Sequence, residues 1–205
     1  MRIGLLRHFK VDCPHKKMMT SEEFRDWSEK YEHSRILKKH VEMYGIKWDI
    51  CYASDIPRAV ATAQDVYSGN IVLDQLLREV DNAPFLHTER IRLPFFLWHV
   101  CGRFAWLFKS KSQPETIEGT RRRIREFLAS IDWSQENILI VCHGFMMFNL
   151  CVELFKLGFH GTKLRRVRNG VLYQYIGQRP DVSMLEQGKK EKDKRVKKGY
   201  TRVGR

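Results

Sequence analysis

The run Ile138-Leu139-Ile140-Val141, followed at once by Cys142-His143-Gly144, decides how this chain is read. Four contiguous apolar residues in a short segment read as a strand buried on both faces. The histidine falls where that strand runs out into a loop. The start of the chain repeats the arrangement, because Ile3 to Leu6 leads directly into Arg7-His8. A third strand-like run, Trp48 to Ala53, leads into Ser54-Asp55-Ile56-Pro57-Arg58-Ala59. In an α/β sheet, ligands bind outside the carboxyl ends of the strands. Two histidines and two arginines at three strand ends therefore describe a pocket for a phosphate.

Working outward, strands alternate with helical patterns. Thr20-Ser21-Glu22-Glu23 has the spacing of a capping box and predicts a helix carrying Phe24, Trp27 and Tyr31. A second helix is expected over 34–44, stopped by Gly45. Pro57 suits the first turn of a helix through Ala59, Ala63 and Val66. Residues 71–73 are a further strand candidate. A long amphipathic helix is expected over 114–131, with Ile117, Ile124, Phe127, Leu128 and Ile131 as its stripe and Arg121, Arg122, Arg123 and Arg125 on its wet face. A helix over 145–157 and a last strand over 171–176 complete the pattern. This order predicts a three-layer α/β/α sandwich around a mostly parallel sheet. Within it, Phe95 to Phe108 is an aromatic stretch too short to span a bilayer. It reads as an inserted helix that walls the pocket; a dimer contact and an interfacial membrane helix are the alternatives.

Composition sets the outer bounds. A length of 205 residues, 43% hydrophobic and 12% aromatic, fits one globular domain. Five cysteines with no CxxC pair argue against a disulfide framework or zinc site and for a reducing cytosol. No signal peptide opens the chain, so a cytoplasmic location is expected. His15, His33, His40, His87, His99 and His160 lack metal-ligand spacing and read as surface or packing residues. Residues 178–205 hold ten Lys+Arg against four Asp+Glu, a net +6 of the chain's +13. This tail reads as disordered or loosely attached and solubilising, with binding of nucleic acid or acidic lipid through counterion release as the sharper alternative.

The chemistry of phosphoryl transfer accounts for the remaining pattern. Charge on the phosphoryl oxygens must be held through the transition state, and arginine's planar fork does so well. A neutral imidazole can attack phosphorus if its other nitrogen is held as a donor. The leaving oxygen then needs a proton from a carboxylic acid. Arg7, His8, Arg58 and His143 meet the first two demands, and Glu79, in Leu76-Leu77-Arg78-Glu79-Val80, meets the third. Asp81 is the reserve acid. A cysteine phosphatase would need an arginine six residues after its cysteine, where this chain has Phe148 after Cys142 and Pro57 after Cys51. Neither a paired-aspartate motif nor a Gly-Lys-Ser/Thr loop is present.

On these residues the chain resembles the histidine phosphatase superfamily, also called phosphoglycerate mutase-like. Arg7-His8 matches the family's Arg-His-Gly, with Phe9 in the glycine's place. Ser54 to Ala63 matches its Ser-x-x-x-Arg-Ala-x-x-Thr-Ala segment in full, and Cys142-His143-Gly144 matches its second histidine motif. Asn169-Gly170 before the last strand echoes a late family asparagine. The resemblance spans residues 1–177, with a cap insert at about 82–112. It implies His8 as the phosphorylated nucleophile, Arg7, Arg58 and His143 as the phosphate clamp, and Glu79 as general acid and base. It further implies no metal or other cofactor, and a small phosphorylated substrate as the partner.

Two departures from the pattern carry expectations. Phe9 puts a ring where a glycine lets the loop approach the phosphate, and this would narrow the pocket or require a local backbone change. The Gly-x-x-Glu-Gly pattern that often follows the acid in the mutases is replaced by Asp81-Asn82-Ala83-Pro84-Phe85-Leu86. A metal-independent phosphatase is the reading; a mutase-type phosphotransferase and an inactive phosphate-binding module are its alternatives.

Overall fold

The computed structural model describes residues 1–181. In chain order it holds β1 (Arg2–Arg7), β2 (Lys10–Val11), β3 (Met18–Met19), α1 (Ser21–His33), β4 (Ile36–Leu37) and β5 (Ile50–Ser54). There follow α2 (Pro57–Val66), β6 (Ile71–Asp74), a 3-10 turn at Gln75–Leu77, β7 (Leu93–Pro94), α3 (Phe95–Leu107) and α4 (Ile117–Ser130). The described chain closes with β8 (Asn137–Cys142), α5 (Gly144–Lys156), β9 (His160–Gly161) and β10 (Leu172–Ile176).

The main sheet has the order β6-β5-β8-β1-β10-β9. Its β6, β5, β8 and β1 run parallel, whereas β10 and β9 complete one edge antiparallel. Alternation along the strands builds two cores. Ile3, Leu5, Ile138, Ile140 and Cys142 face α4 and α5, packing on Ile124, Phe127, Leu128, Met147 and Leu150. Leu6, Leu139, Val141, Cys51 and Ala53 face α2, packing on Ala59 and Ala63. Burial on both faces explains why these strands read as continuous apolar runs rather than alternating ones. The result is the three-layer α/β/α sandwich, with the carboxyl ends of β5, β8 and β1 side by side.

A third, smaller cluster sits apart from the sheet. Met19, Phe24 and Trp98 are buried together, with Trp27, Phe85, Leu93 and Phe95 packed against them. It joins α1 to α3, and the bridge between β3 and β7 ties the two segments that precede these helices. The capping box at Thr20 is present, Thr20 Oγ1 accepting from Glu23 N at 3.2 Å and Glu23 Oε2 from Thr20 N at 3.0 Å. Residues before 82 thus share in covering the strand ends alongside the insert.

The helix expected over 34–44 is not formed. Ser34 caps the end of α1, and Ile36–Leu37 pairs antiparallel with Lys10–Val11. Arg35 reinforces the pairing, donating from Nε to Asp12 Oδ2 at 2.8 Å. The apolar positions here satisfy helical and extended spacing alike, and the neighbouring strand decided between them. Tyr44 and Gly45, both at positive φ, make the turn that leads towards β5. The final 24 residues of the expected tail, 182–205, lie outside the described residues. Among the described residues, no helix is long and apolar enough to cross a membrane.

Candidate active site

Arg7 ends β1, and His8 follows with its backbone N–H donated to Cys142 O at 3.0 Å. The imidazole is buried. Its Nδ1 lies 2.6 Å from Phe9 O, and a carbonyl can only accept, so Nδ1 carries the proton. The Nε2 lone pair is thereby left for chemistry. Burial, then the charges of Arg58 and Arg7, lower the His8 pKa from its ordinary 6.5 to about 3. The ring is therefore neutral near neutral pH, which a nucleophile requires.

Two side chains anchor the backbone around His8. Thr62 Oγ1 accepts from Phe9 N at 2.9 Å and itself donates to Arg58 O at 2.7 Å. Asn169 Nδ2 donates to His8 O at 2.9 Å. The Phe9 ring points into the α2-side core with Leu6 and Leu172 and is wholly buried. It does not line the cavity, so the expected narrowing does not occur. The side chain turns away from the ligand side, and the loop keeps its close approach.

Arg7 and Arg58 supply the positive charge. Arg7 Nη1 donates to Val167 O at 2.8 Å, and its guanidinium lies flat along the start of α5. Gly144 permits this, since a Cβ there would sit 3.0 Å from Arg7 Cζ. Arg58, on the first turn of α2, is buried beneath the Tyr31 ring at 5.1 Å, with Glu32 3.5 Å from Nη1. Arg7 Nε, Arg58 Nε and Arg58 Nη1 are buried and have no hydrogen-bond partner among the described residues. Buried donors left without acceptors are rare and costly. Three of them around one neutral imidazole form a place where a multivalent anion is stabilised.

His143 lies behind His8, with ring centroids 5.1 Å apart. It is fully buried and does not reach the cavity surface, whereas Arg7, His8, Arg58 and Glu79 all do. Its Nε2 is 2.9 Å from Ser54 Oγ, and its Nδ1 has no partner among the described residues. Burial and then the His8 ring push its pKa well down. The Cys142 thiol beside it is wholly buried and pushed up, which leaves it protonated and inert.

Glu79 hangs over the N-terminus of α5. Its Oε1 accepts from Val80 N and Met146 N, both at 2.9 Å, and its Oε2 from Phe145 N at 3.1 Å. Arg123 fixes the segment before it, donating from Nη1 to Leu76 O at 2.9 Å and Arg78 O at 2.6 Å. The same guanidinium makes a bidentate pair with Glu115 at 3.0 and 2.8 Å. Arg123 therefore does not belong to a wet face, as spacing alone suggested, but braces the loop that carries Glu79. Arg125 is likewise engaged, with Glu153 at 3.2 Å. Asp81 stands at the cavity mouth, where crowding by the walls and then the Glu115 charge raise its pKa.

Above these groups opens a cavity of about 730 Å³. Trp27 and Tyr31 from α1, Phe95, His99 and Arg103 from α3, and Phe145 and Phe148 from α5 line it. The inserted helix does wall the cavity. His99 is more than a packing residue: Asn82 Nδ2 donates to its Nδ1 at 3.0 Å, and its ring stands edge-on to Phe95 and Trp27. Burial, then Arg103 and His15, lower its pKa to about 4, so its Nε2 carries the proton. Sequence reasoning passed over Tyr31, Glu32 and His99 as site residues. The signal for Tyr31 was its spacing four after Trp27 on α1.

Fold and geometry together define an α/β/α protein with a basic, aromatic-walled pocket at its strand ends. A family model for the histidine phosphatase superfamily (branch 1) matches residues 31–186, and the chain belongs to that superfamily. The strand bearing Arg7-His8 precedes the matched span and takes its place through pairing with β8 and β10. No curated protein sequence matches the chain. Among solved structures, the alpha-ribazole phosphatase from Shigella flexneri is similar with a TM-score of 0.52 at 16% identity, over 88% of this chain and 96% of that one. The mycobacterial glucosyl-3-phosphoglycerate phosphatase gives 0.51 at 17% identity, over 89% and 93%. Both likenesses are of fold.

The depressed His8 pKa has a consequence for stability. A histidine at 6.5 unfolded and about 3 folded binds more protons unfolded, so it stabilises the fold above pH 6.5 and loses that contribution as pH falls towards 3. Urea midpoints measured across this range in phosphate-free buffer should fall more steeply for the wild type than for His8→Asn. Parallel curves would show that His8 is not buried in its neutral form.

Proposed function

We propose that this protein hydrolyses phosphomonoesters by way of a phosphohistidine on His8. The observation that carries the reading is a neutral imidazole, with Nδ1–H bound to Phe9 O, set among three buried guanidinium donors without a hydrogen-bond partner among the described residues. His8 Nε2 attacks phosphorus, a nitrogen–phosphorus bond forms and the ester oxygen departs. Arg7 and Arg58 hold the phosphoryl oxygens throughout, and His143 supports them from behind through its unpartnered Nδ1. The departing oxygen takes a proton from Glu79. Glu79 then removes a proton from water, which attacks the phosphohistidine and releases inorganic phosphate. The positive charge comes from the arginines, and the reaction calls on no metal.

His8→Ala should abolish phosphate release from an aryl phosphate in the presence of EDTA, a fall of about 10⁴-fold or more. Rapid denaturation of the wild type during turnover should trap a phosphorylated species that is labile to acid and stable to alkali. Equal rates in the two proteins would remove the mechanism.

The acid can be assigned by leaving-group chemistry. A good leaving group needs no proton, so loss of the acid slows phosphorylation by an alkyl phosphate by about 10²-fold while sparing the pre-steady-state burst from p-nitrophenyl phosphate, whose later turnover still falls if the same group activates water. Glu79→Gln is expected to show this split. The raised pKa of Asp81 favours a second reading, in which Asp81→Asn shows it instead.

The cavity wall supports a substrate class as well. Beyond the phosphate cage its surfaces are mainly aromatic. The cations there are Lys10 at the rim and Arg103, whose Nη1 is occupied by Val80 O and Asp81 O and whose face lies 4.0 Å over Phe145. Glu32 and Asp81 add further carboxyl groups to the lining. This lining favours an uncharged, apolar or aromatic leaving group over one bearing a carboxylate. Naphthyl phosphate should exceed 3-phosphoglycerate in kcat/KM by about tenfold or more, since burying one ring is worth about 1.5–3 kcal/mol. Phe95→Ala should raise KM for the aryl ester with little change in kcat; equal kcat/KM for the two esters would sink this substrate class and leave the mechanism standing.

A further inference from the structure

Helix α3 has two working faces, and the cavity uses only one of them. At 100° per residue, Trp98, Gly102 and Trp106 point into the protein and are buried, while Phe95, His99 and Arg103 flank the cavity. The opposite arc, about 120° wide, carries Phe96, Val100, Phe104, Leu107 and Phe108. These are 62%, 43%, 55%, 45% and 77% exposed. A contiguous apolar stripe of this size on a surface marks an interaction site rather than ordinary scatter. Phe104 and Phe108 stack upon one another at 6.5 Å instead of packing inward, so the stripe is not a part of the core that came loose.

Charge identifies what covers it. From 90 to 114 the chain holds Arg90, Arg92, Arg103, Lys109 and Lys111 and no aspartate or glutamate. The exposed cations stand at both ends of the helix, Arg90 and Arg92 before it and Lys109 and Lys111 after it. Two of them pair with neighbours, Arg92 with Glu23 at 3.2 Å and Lys109 with Glu118 at 2.7 Å; both cations stay more than half exposed. A phenylalanine stripe bracketed by basic residues matches a helix that lies in the interfacial layer of a membrane. A second copy of the chain would bring the same positive ends together in a protein that already carries +13, which opposes self-association through this face.

We propose that the outward face of α3 docks this protein on an anionic membrane surface. The phenylalanines enter the boundary between headgroups and acyl chains, and the flanking lysines and arginines rest among anionic headgroups. The helix lies in the plane of the interface and does not cross it.

The test is sedimentation of the full chain with phosphatidylcholine vesicles, with and without phosphatidylglycerol. Binding should require the anionic lipid and weaken as salt is raised. Phe104→Ser/Phe108→Ser should lower the partition coefficient by about tenfold or more while leaving hydrolysis of a soluble aryl phosphate unchanged, because neither ring lines the cavity. Both proteins keep residues 182–205, so the basic tail contributes equally to each. Arg90→Glu/Lys111→Glu provides a second variant that leaves the apolar stripe intact, and it should reduce binding only to the anionic vesicles. Absence of binding to anionic vesicles, or equal partition of wild type and the serine variant, overturns the proposal. So does a dimer in sedimentation velocity that the serine variant converts to monomer, which would make a second copy the occupant. None of these outcomes bears on whether His8 is phosphorylated.

Discussion

Two guanidinium groups buried beside an imidazole are the constraint around which this protein is organised. Positive charge in a low-dielectric setting is unfavourable unless something negative answers it, and here the protein answers only in part. Arg7 has one carbonyl, Arg58 an aromatic face and a distant glutamate. Burial first, and then these same charges, make a third cation in their midst unfavourable, which keeps His8 neutral. The two guanidinium groups thus bear on both the charge state of His8 and the affinity of the pocket for an anion. The tautomer comes from a different source, the carbonyl of the next residue.

The rest of the fold holds those three side chains in one place. Parallel pairing of β5, β8 and β1 brings residues far apart in the chain to one sheet edge. Gly144 lets Arg7 lie against the start of α5, and the same helix end receives the Glu79 carboxylate. Arg123 and Glu115 hold the turn before Glu79 from outside. Few of these supports touch the cavity, yet each fixes the position of a group that does.

Much of this was legible in the residues, because buried strands write themselves as apolar runs and their last residues mark the ligand edge. Arg7, His8, Arg58, His143 and Glu79 do converge, though His143 stands behind the cavity wall instead of in it. The segment 34–44 was misread because four or five apolar residues fit either period, and only the neighbouring Lys10–Val11 strand could choose. Arg123 was misread because spacing assigns it to a helix face without revealing that the face meets a loop of bare carbonyls. The aromatic wall was visible as composition, but its split into an inward and an outward face depends on where the sheet edge lies.

Phe9 has an implication for how this sequence can change. The pattern it departs from has a glycine at this position, with no side chain to pack. Here the ring is part of the α2-side core, while its own amide and carbonyl orient Thr62 and His8. Truncating such a ring removes about 3–5 kcal/mol of packing. Core packing and the orientation of the His8 ring therefore depend on the same residue. A glycine at this position would leave a void in the α2-side core that only larger neighbouring side chains could fill.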